Sequence, residues 1–196
     1  MVVLAPRIRL YTAGSPRPQL EPGWLALAQP VSDGEAGVVF GDGSHPTTRL
    51  CAAVVDQLCR QRQPEAVLDV GTGTGVLARV ARARGATFVV GTDIDAGARK
   101  AAVASSALDG HSVGIVISDE APDHWGARFD LVVANILEEP LRVLAPALGR
   151  ALREHGVLVI SGFTPVQVPA IRVCYGMMRV VGEAQLDEWA LLVFET

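Results

Sequence analysis

Residues 66–95 read AVLDVGTGTGVLARVARARGATFVVGTDID, and the rest of the fold can be worked out from them. A short apolar run leads into three alternate glycines, Gly71, Gly73 and Gly75, and an alanine-rich stretch with helical spacing follows. A second β-branched run ends at Asp93. Strand, glycine turn, helix, strand and terminal acid form the first half of a nucleotide-binding α/β unit. The glycines let main-chain amides approach a ligand, and the acid can accept both hydroxyls of a ribose.

The spacing of the glycines separates this turn from other nucleotide-binding turns. A dinucleotide fingerprint starting at Gly71 needs glycine at position 76, where the chain has Val76. A phosphate-binding G-K-[ST] loop needs a lysine, which this turn lacks. The remaining pattern, D-V-G-x-G-x-G with Asp93 beyond, resembles the S-adenosylmethionine site of class I methyltransferases. The alternative is a tight glycine turn in an α/β protein that binds no ligand.

Helical and β-branched stretches alternate along the rest of the chain. The predicted helices begin at Pro46, at Asp95 and at about Glu138, and the predicted further strands are 113–117, 129–134, 157–160, 177–181 and 189–194. Such alternation predicts a parallel sheet that is covered on both faces. A closing hairpin is typical of the class I methyltransferase sheet, whose last strand inserts antiparallel. We therefore expect an α/β, Rossmann-like sheet of seven mostly parallel strands, with helices on both faces and an antiparallel C-terminal hairpin strand.

Four polar or glycine positions follow directly after predicted strands. They are Gly71, Asp93, Asp119 and Asn135. Ligands of open α/β sheets bind beyond the carboxyl ends of the strands. The coincidence places the candidate site at this edge, within a domain over residues 38–196 that follows an N-terminal arm over residues 1–37.

Composition bounds the class of protein. A chain of 196 residues, 49% apolar and 19% charged, is long enough for a core of its own. No run approaches the roughly 18 consecutive apolar residues of a membrane span, and the opening MVVLAPRIRLYTAG is too interrupted for a signal peptide. We expect a cytoplasmic protein without a membrane partner. A net charge of −4 argues against a nucleic-acid partner, and the scattered cysteines predict no metal site.

Several further blocks narrow the resemblance to one family. FGDGSHPTTR (40–49), VANILEEPL (133–141), ISGF (160–163) and EWALLV (188–193) accompany the glycine turn. Together they resemble the bacterial methyltransferases that modify large-subunit ribosomal protein eleven, and the eukaryotic lysine methyltransferases of electron-transfer flavoprotein are similar. The resemblance covers about four-fifths of the chain, from residue 38 onward. It implies S-adenosylmethionine as the cofactor, S-adenosylhomocysteine as the product and a protein amine as the acceptor.

The resemblance also implies roles for individual positions. The cofactor-binding residues would be Thr47, Asp69, Gly71, Thr72, Gly73, Gly75, Asp93, Ile94, Ser118, Asp119 and Asn135. Asp69 would hold the turn or the cofactor's amino group, and Asp119 or Ser118 the adenine edge. Asn135 would face the transferred methyl group and hold the acceptor amine. His45 is the candidate base, with a structural role in the cofactor pocket as the alternative.

The family's ribosomal enzymes carry an additional N-terminal recognition domain, and only about forty residues precede the Phe40 block here. The acceptor is therefore open. The first hypothesis is methylation of a protein amine, with a ribosomal protein as one candidate acceptor. The second is a small-molecule N- or O-methyltransferase. Nucleic-acid amine methyltransferases usually show Asn-Pro-Pro-aromatic where this chain has Asn135-Ile136-Leu137-Glu138. A non-catalytic S-adenosylmethionine-binding protein would be expected to have lost the glycines, Asp93 or Asn135, and none is lost.

Overall fold

Two sheets and five α-helices form the described part of the chain, which in this computed structural model comprises residues 2–30, 43–109 and 114–196. The strands are β1 (Val2–Ala5), β2 (Ile8–Thr12), β3 (Leu25–Gln29), β4 (Ala66–Val70), β5 (Phe88–Thr92), β6 (Ile115–Ser118), β7 (Phe129–Asn135), β8 (Leu152–Phe163), β9 (Arg179–Leu186) and β10 (Trp189–Glu195). The helices are α1 (Pro46–Arg62), α2 (Val76–Ala83), α3 (Ala96–Leu108), α4 (Glu138–Ala151) and α5 (Val168–Cys174).

The larger sheet has seven strands in the order β6-β5-β4-β7-β8-β10-β9. Strands β4 to β8 pair in parallel, whereas β10 pairs antiparallel with both β8 and β9. The predicted sheet and its antiparallel C-terminal strand are confirmed. From β4 the chain continues to β5 on one side of the sheet order, and from β7 it continues to β8 on the other side. The crevice for a ligand is therefore expected between the carboxyl ends of β4 and β7.

Alternate residues of the central strands feed two separate apolar layers. In β4, Val67 packs in the layer of α1 and α2, and Leu68 packs in the layer of α4 and α5. Burial on both faces explains why these strands are continuous apolar runs rather than alternating ones. Helix α3 packs against α2, β3 and β6.

A small three-stranded sheet, β1-β2-β3, joins the layer of α1 and α2. Sequence patterning allowed a short strand or a turn at residues 25–28, where the structure has β3, but it did not predict β1 and β2. Both are short, and proline and glycine flank them, so their propensity signal is weak. Leu4, Ile8 and Leu10 are nevertheless fully buried, because they pack into the α1 and α2 layer rather than stand alone.

The sequence misplaced the start of β8. The helix was expected to continue to residue 152 and to stop at His155-Gly156, but α4 ends at Ala151 and the strand begins at Leu152. Leu152 is extended because it pairs with Phe129 of β7 and is buried in the same layer. Arg128 donates its main-chain N–H to the Ala151 carbonyl, which satisfies the end of the helix.

The closing hairpin is also longer than its apolar pattern indicated. Strand β9 was expected at residues 177–181 with a turn at 183–188, but it spans Arg179–Leu186 and turns at Asp187 and Glu188. It is an edge strand with alternating exposed positions, and pairing with β10 outweighs the weak strand propensity of Gly182-Glu183-Ala184-Gln185.

The strand predicted at residues 113–117 corresponds to β6, which begins at Ile115, and residue 113 lies outside the described residues. No helix within the described ranges is long and apolar enough to cross a membrane.

Candidate active site

A cavity of about 1170 Å³ opens at the carboxyl ends of β4, β5, β6 and β7. Eight of the predicted site residues line it: His45, Thr47, Gly71, Gly73, Asp93, Ile94, Asp119 and Asn135. Asp69, Thr72, Gly75 and Ser118 are not part of the lining. Eight predicted residues are therefore brought together around one cavity at the carboxyl edge of the sheet, and the other four lie outside its lining.

The glycine turn is held against the tip of β5. The main-chain N–H groups of Gly71 and Thr72 both donate to the Thr92 carbonyl, at 2.8 and 2.9 Å. Gly71, Gly73 and Gly75 all have positive φ, which side chains rarely tolerate. Gly75 also packs against α3, since a Cβ added at Gly75 would lie 3.2 Å from the Cβ of Ala102. The turn thus exposes the main chain of Gly71 and Gly73 to the cavity, while Gly75 serves helix packing.

Asp93 is fixed by two hydrogen bonds at the tip of β5. Its Oδ2 accepts from the Gly73 N–H at 3.0 Å, and its Oδ1 accepts from the Asp95 N–H at 3.0 Å. The carboxylate faces the cavity and is only half-buried. Because each carboxylate oxygen has more than one acceptor site, Asp93 can still accept the hydroxyls of a ribose.

Asp69 supports the turn from below. It is 1% exposed, and its Oδ2 accepts from Thr72 Oγ1 at 2.7 Å and from the Ala78 N–H at 3.1 Å. Burial raises the pKa of Asp69 to about 6; the charge of Asp93 adds to this, and the two hydrogen bonds oppose it. Asp69 Oδ1 has no hydrogen-bond partner within the described ranges. Of the two predicted roles, the geometry therefore favours holding the turn.

The adenine side of the predicted site is formed by the ends of β5 and β6. Ile94 is 96% exposed and lines the cavity together with Asp119. Ser118 is not part of the lining, and its Oγ accepts from the Glu120 N–H at 3.1 Å. Of the two alternatives left open for the adenine edge, Asp119 is the one that the cavity reaches.

Asn135 ends β7 and lines the cavity. It is 8% exposed, and its Nδ2 donates to Thr48 Oγ1 at 3.4 Å. Asn135 Oδ1 is buried and has no partner in the described part of the chain. A buried amide oxygen without a partner is costly. This oxygen is therefore the group in the cavity best placed to accept a hydrogen bond from a ligand.

His45 caps the first turn of α1. Its Nδ1 accepts from the Thr47 N–H at 3.3 Å and lies 2.7 Å from Thr47 Oγ1, and its ring meets Trp189 edge-on at 5.0 Å between centroids. Since a main-chain N–H can only donate, Nδ1 must carry the lone pair. The imidazole nitrogen that touches Thr47 is thus used for capping and not for taking a proton from an acceptor.

Two positions at the site were missed by sequence reasoning. Thr48 is 1% exposed and orients the Asn135 amide. Gly162 lines the cavity with φ +105°, and a Cβ there would overlap the Ile136 carbonyl oxygen. Both belong to blocks that carry the family resemblance, FGDGSHPTTR and ISGF. The sequence does not show which residue of such a block contacts the site, because that depends on contacts with other elements.

The lining fits S-adenosylmethionine in chemical type. It offers a bare glycine main chain, a ribose-binding acid, an exposed aliphatic side chain at Ile94 and the unpartnered oxygen of Asn135. The cavity slightly exceeds the roughly 300–1,000 Å³ of ordinary small-molecule pockets, so an acceptor group has room beside a cofactor. Within the described ranges, no group of three or more His, Cys, Asp and Glu side chains could hold a metal ion.

Two solved structures that are named as methyltransferases have the same fold. A ribosomal protein L11 methylase from Lactobacillus delbrueckii subsp. bulgaricus superposes with a TM-score of 0.84 and 28% identity, covering 97% of this chain and 95% of that chain. The N-methyltransferase NodS of Bradyrhizobium japonicum, solved with S-adenosyl-L-homocysteine, shares the fold at a TM-score of 0.63 and 12% identity, covering 78% of this chain and 89% of that one. Fold and site together define a class I S-adenosylmethionine-dependent methyltransferase.

The family follows from the sequence comparisons. The family model described as ribosomal protein L11 methyltransferase (PrmA) matches residues 32–196, so this chain belongs to that family. The L11 methyltransferase of Methylobacillus flagellatus is 39% identical over 160 residues, 81% of this chain and 52% of that protein. That of Dechloromonas aromatica is 37% identical over 182 residues, 91% of this chain and 60% of that protein. The chain spans between half and three-fifths of the length of these curated relatives.

Proposed function

We propose that this chain transfers a methyl group from S-adenosylmethionine to an amine nitrogen of a protein, with a ribosomal protein as the first candidate acceptor. Asn135 carries the proposal, because it lines the cavity and its buried Oδ1 has no hydrogen-bond partner among the described residues, so that an amine N–H would satisfy it. Relatives named ribosomal protein L11 methyltransferase support the protein substrate. A cytoplasmic location belongs to the same proposal.

The predicted cofactor residues divide the binding of S-adenosylmethionine among them. The main chain of Gly71 and Gly73 would hold the methionine part, Asp93 would bind the ribose hydroxyls, and Ile94 and Asp119 would border the adenine. Asp69 and Thr72 hold the turn from below, Gly75 spaces it from α3, and Ser118 fixes the loop beside Asp119. When bound, S-adenosylmethionine supplies an electrophilic methyl group for in-line attack by a nucleophile.

The residues on the other side of the cavity prepare the acceptor. A lysine amine with its ordinary pKa of about 10.4 is neutral in about one molecule in a thousand near pH 7.4, a deficit of roughly 4 kcal/mol. The apolar side chains of Ile136, Leu137, Pro140 and Trp189 line this side of the cavity and would desolvate the amine, which favours its neutral form. Asn135 Oδ1 would then accept one amine N–H and aim the nitrogen lone pair, without retaining a proton itself.

Cofactor binding is tested first by calorimetric titration of S-adenosylmethionine into the wild type, Asp93→Ala and a control. Glu154→Ala is the matched control, because this acid is exposed near the start of β8, at the opposite end of the sheet from the cavity. Micromolar binding by the wild type and the control, and its loss in Asp93→Ala, is expected. A wild type that binds no S-adenosylmethionine would refute the proposed function.

The acceptor is tested by transfer of a labelled methyl group to purified ribosomal protein L11. We expect Asn135→Ala to lower the rate at saturating cofactor by about a hundredfold, the scale of losing one well-placed polar group. Thr48→Val removes the hydroxyl that orients the amide and should lower the rate less, whereas Thr48→Ser should keep it. Binding of the cofactor without transfer to any acceptor would leave a non-catalytic binding protein.

A small-molecule acceptor is the second candidate, and the size of the cavity favours it. About 1170 Å³ in one continuous cavity accommodates a small amine or hydroxyl compound next to the cofactor without a protein surface. Incubation with labelled S-adenosylmethionine and the low-molecular-weight fraction of a lysate separates the two. Label that enters only this fraction, and not ribosomal proteins, would favour the second candidate.

A further inference from the structure

The arginine in the first turn of α3 occupies an unfavourable position for a helix. Arg99 follows the N-cap Asp95 by four residues, where the helix dipole disfavours a cation. Its side chain is 25% exposed and could extend into solvent. It instead folds back toward the cavity wall, so contacts outside the helix must account for its position.

Those contacts join the two turns that border the adenine side of the cavity. Arg99 Nη1 donates to the carbonyl of Asp93 at 2.8 Å and to the carbonyl of Ile94 at 3.1 Å. Arg99 Nη2 lies 3.4 Å from Oδ2 of Asp119. One planar guanidinium therefore connects the turn after β5 to the residue after β6.

The connection continues to the glycine turn. Arg99 is bonded to the main chain of Asp93, and the Asp93 carboxylate in turn accepts from the Gly73 N–H through Oδ2. The guanidinium is therefore connected to the glycine turn through Asp93. The Asp93 N–H also donates to the Ser118 carbonyl at 3.1 Å, which places the two strand ends side by side. Gly73, Asp93 and Asp119 line the cavity, and Arg99 does not.

We propose that Arg99 is a positioning residue for the adenosyl part of the cofactor, acting through the Asp93–Ile94 turn and Asp119. This inference rests on the proposed function, since it assumes that the cavity binds S-adenosylmethionine. The ion pair to Asp119 alone would contribute little, because Asp119 is 67% exposed. The two bonds to main-chain carbonyls make the difference, since they orient the turn that carries the ribose acid.

Affinities for two probes test the inference. S-adenosylmethionine and S-adenosylhomocysteine are titrated into the wild type, Arg99→Met and Arg99→Lys. Arg99→Met should weaken both by about tenfold, the factor that corresponds to one hydrogen bond to a charged group. Equal losses are expected because the two compounds share the adenosyl part and differ in the charge at sulfur. A loss confined to S-adenosylmethionine would indicate a charge effect and overturn the positioning role.

Arg99→Lys keeps the charge but cannot offer a planar fork to two carbonyls and a carboxylate together. We expect an intermediate loss, about threefold, with the methyl-transfer rate at saturating cofactor unchanged within about twofold. Arg172→Met is the matched control, since Arg172 on α5 forms an exposed ion pair with Glu183 at 2.6 Å, and neither lines the cavity. It should bind both probes like the wild type.

The outcomes distinguish the two levels of the argument. A wild type that binds neither probe refutes the proposed function and this inference with it. A wild type that binds both, together with Arg99 variants of unchanged affinity, overturns the positioning role and leaves the proposed function intact. If Arg99→Met fails to fold, the affinity of Arg99→Lys decides.

Discussion

His45 is the N-cap residue of α1, and its hydrogen bond to Thr47 favours a structural role over a catalytic one. Its sequence context allowed a base or a structural residue, and its Nδ1 proves to be bound to the Thr47 N–H at the start of α1. Asparagine is among the best N-cap residues, and its side-chain oxygen can replace an imidazole nitrogen as the acceptor. Substitution with asparagine therefore separates capping from proton transfer.

We expect His45→Ala to lower the free energy of unfolding by about 1 kcal/mol through loss of the cap, and His45→Asn to retain most of it. Urea denaturation measures both variants. Methyl transfer by His45→Asn should remain within a few-fold of the wild type, because no proton passes through Nδ1. A fully stable His45→Asn that has lost activity as severely as an Asn135 variant would show that His45 is the base after all.

The buried carboxyl of Asp69 should make stability depend on pH in an unusual direction. Its pKa is raised from 3.8 to about 6 in the folded chain, chiefly by burial. Between these values the folded state holds a proton that the unfolded state has lost. The contribution of Asp69 to the free energy of unfolding is therefore fully present below about pH 4, declines between about pH 4 and pH 6, and is lost above that range. The total change is on the order of 3 kcal/mol.

Comparison with Asp69→Asn, which does not titrate, isolates this effect. The wild-type free energy of unfolding, measured in urea from about pH 4 to pH 7, should fall relative to that of Asp69→Asn as pH rises. Asp123→Asn is a control that should stay flat relative to the wild type across this range, because a hydrogen bond from Arg150 lowers the pKa of the exposed Asp123 and its contribution therefore changes only below about pH 4. A wild-type minus Asp69→Asn difference that stays flat across this range would contradict the assignment.

At the level of elements, the central strands were predictable and their ends were not. Runs such as Phe88-Val89-Val90 carry enough β-branched and aromatic character to identify a strand without knowledge of its neighbours. The beginning of β8 depends on pairing with Phe129 of β7, and the length of β9 depends on pairing with β10 across the hairpin, so the pattern within each segment alone could not locate them. The same applies within the site: the residues at the strand ends could be predicted from the sequence, but Thr48 and Gly162 could be recognised only from their contacts.

Gly162 at the end of β8 supports the loop after β7, and its substitution should disturb an element rather than a single contact. A Cβ there would overlap the Ile136 carbonyl oxygen, next to Asn135. Gly85 is a matched control, because its φ of +109° is close to the +105° of Gly162, and a Cβ built there meets nothing within 4 Å. Both alanine variants carry the cost of a positive φ, and only one also carries the overlap.

We expect Gly162→Ala to be about 1–3 kcal/mol less stable than Gly85→Ala, the usual cost of overpacking. Its affinity for S-adenosylmethionine should fall as well, because the loop that follows Asn135 must shift. Thermal unfolding and calorimetric titration of the two variants measure these effects. Equal stability and equal affinity of the pair would mean that the loop yields to the extra methyl without cost.

On the scale of the whole molecule, a buried ion pair links the small N-terminal sheet to the rest of the chain. Arg79 of α2 and Asp109 at the end of α3 form it, with side chains 1% and 5% exposed. Arg79 also donates to the Ala28 carbonyl in β3, and Asp109 Oδ1 accepts from the Ala28 N–H at 2.7 Å. Arginine in an alanine-rich helix looks like a solvated position in sequence, so this link could not be predicted.

The link bears on the predicted boundary between an N-terminal arm, residues 1–37, and a methyltransferase domain, residues 38–196, which stays a prediction. If the arm folds separately, Arg79→Met should leave the main unfolding transition unchanged. If both parts unfold as one unit, removing one partner of the buried pair should cost about 3–5 kcal/mol, and Arg79→Met/Asp109→Leu should recover part of that cost. Arg150→Met breaks an exposed pair with Asp123 and should cost no more than about 1 kcal/mol.

We expect the single-unit result, because Leu4, Ile8 and Leu10 are buried in the same layer as α1 and α2. Urea denaturation followed by circular dichroism measures the transition, and hydrogen exchange at the Ala28 amide reports on the link itself. In Arg79→Met this amide should lose protection together with β2, since β3 pairs with that strand in parallel. An Ala28 amide that exchanges faster while the main transition stays in place would instead show that the N-terminal sheet opens independently of the catalytic half.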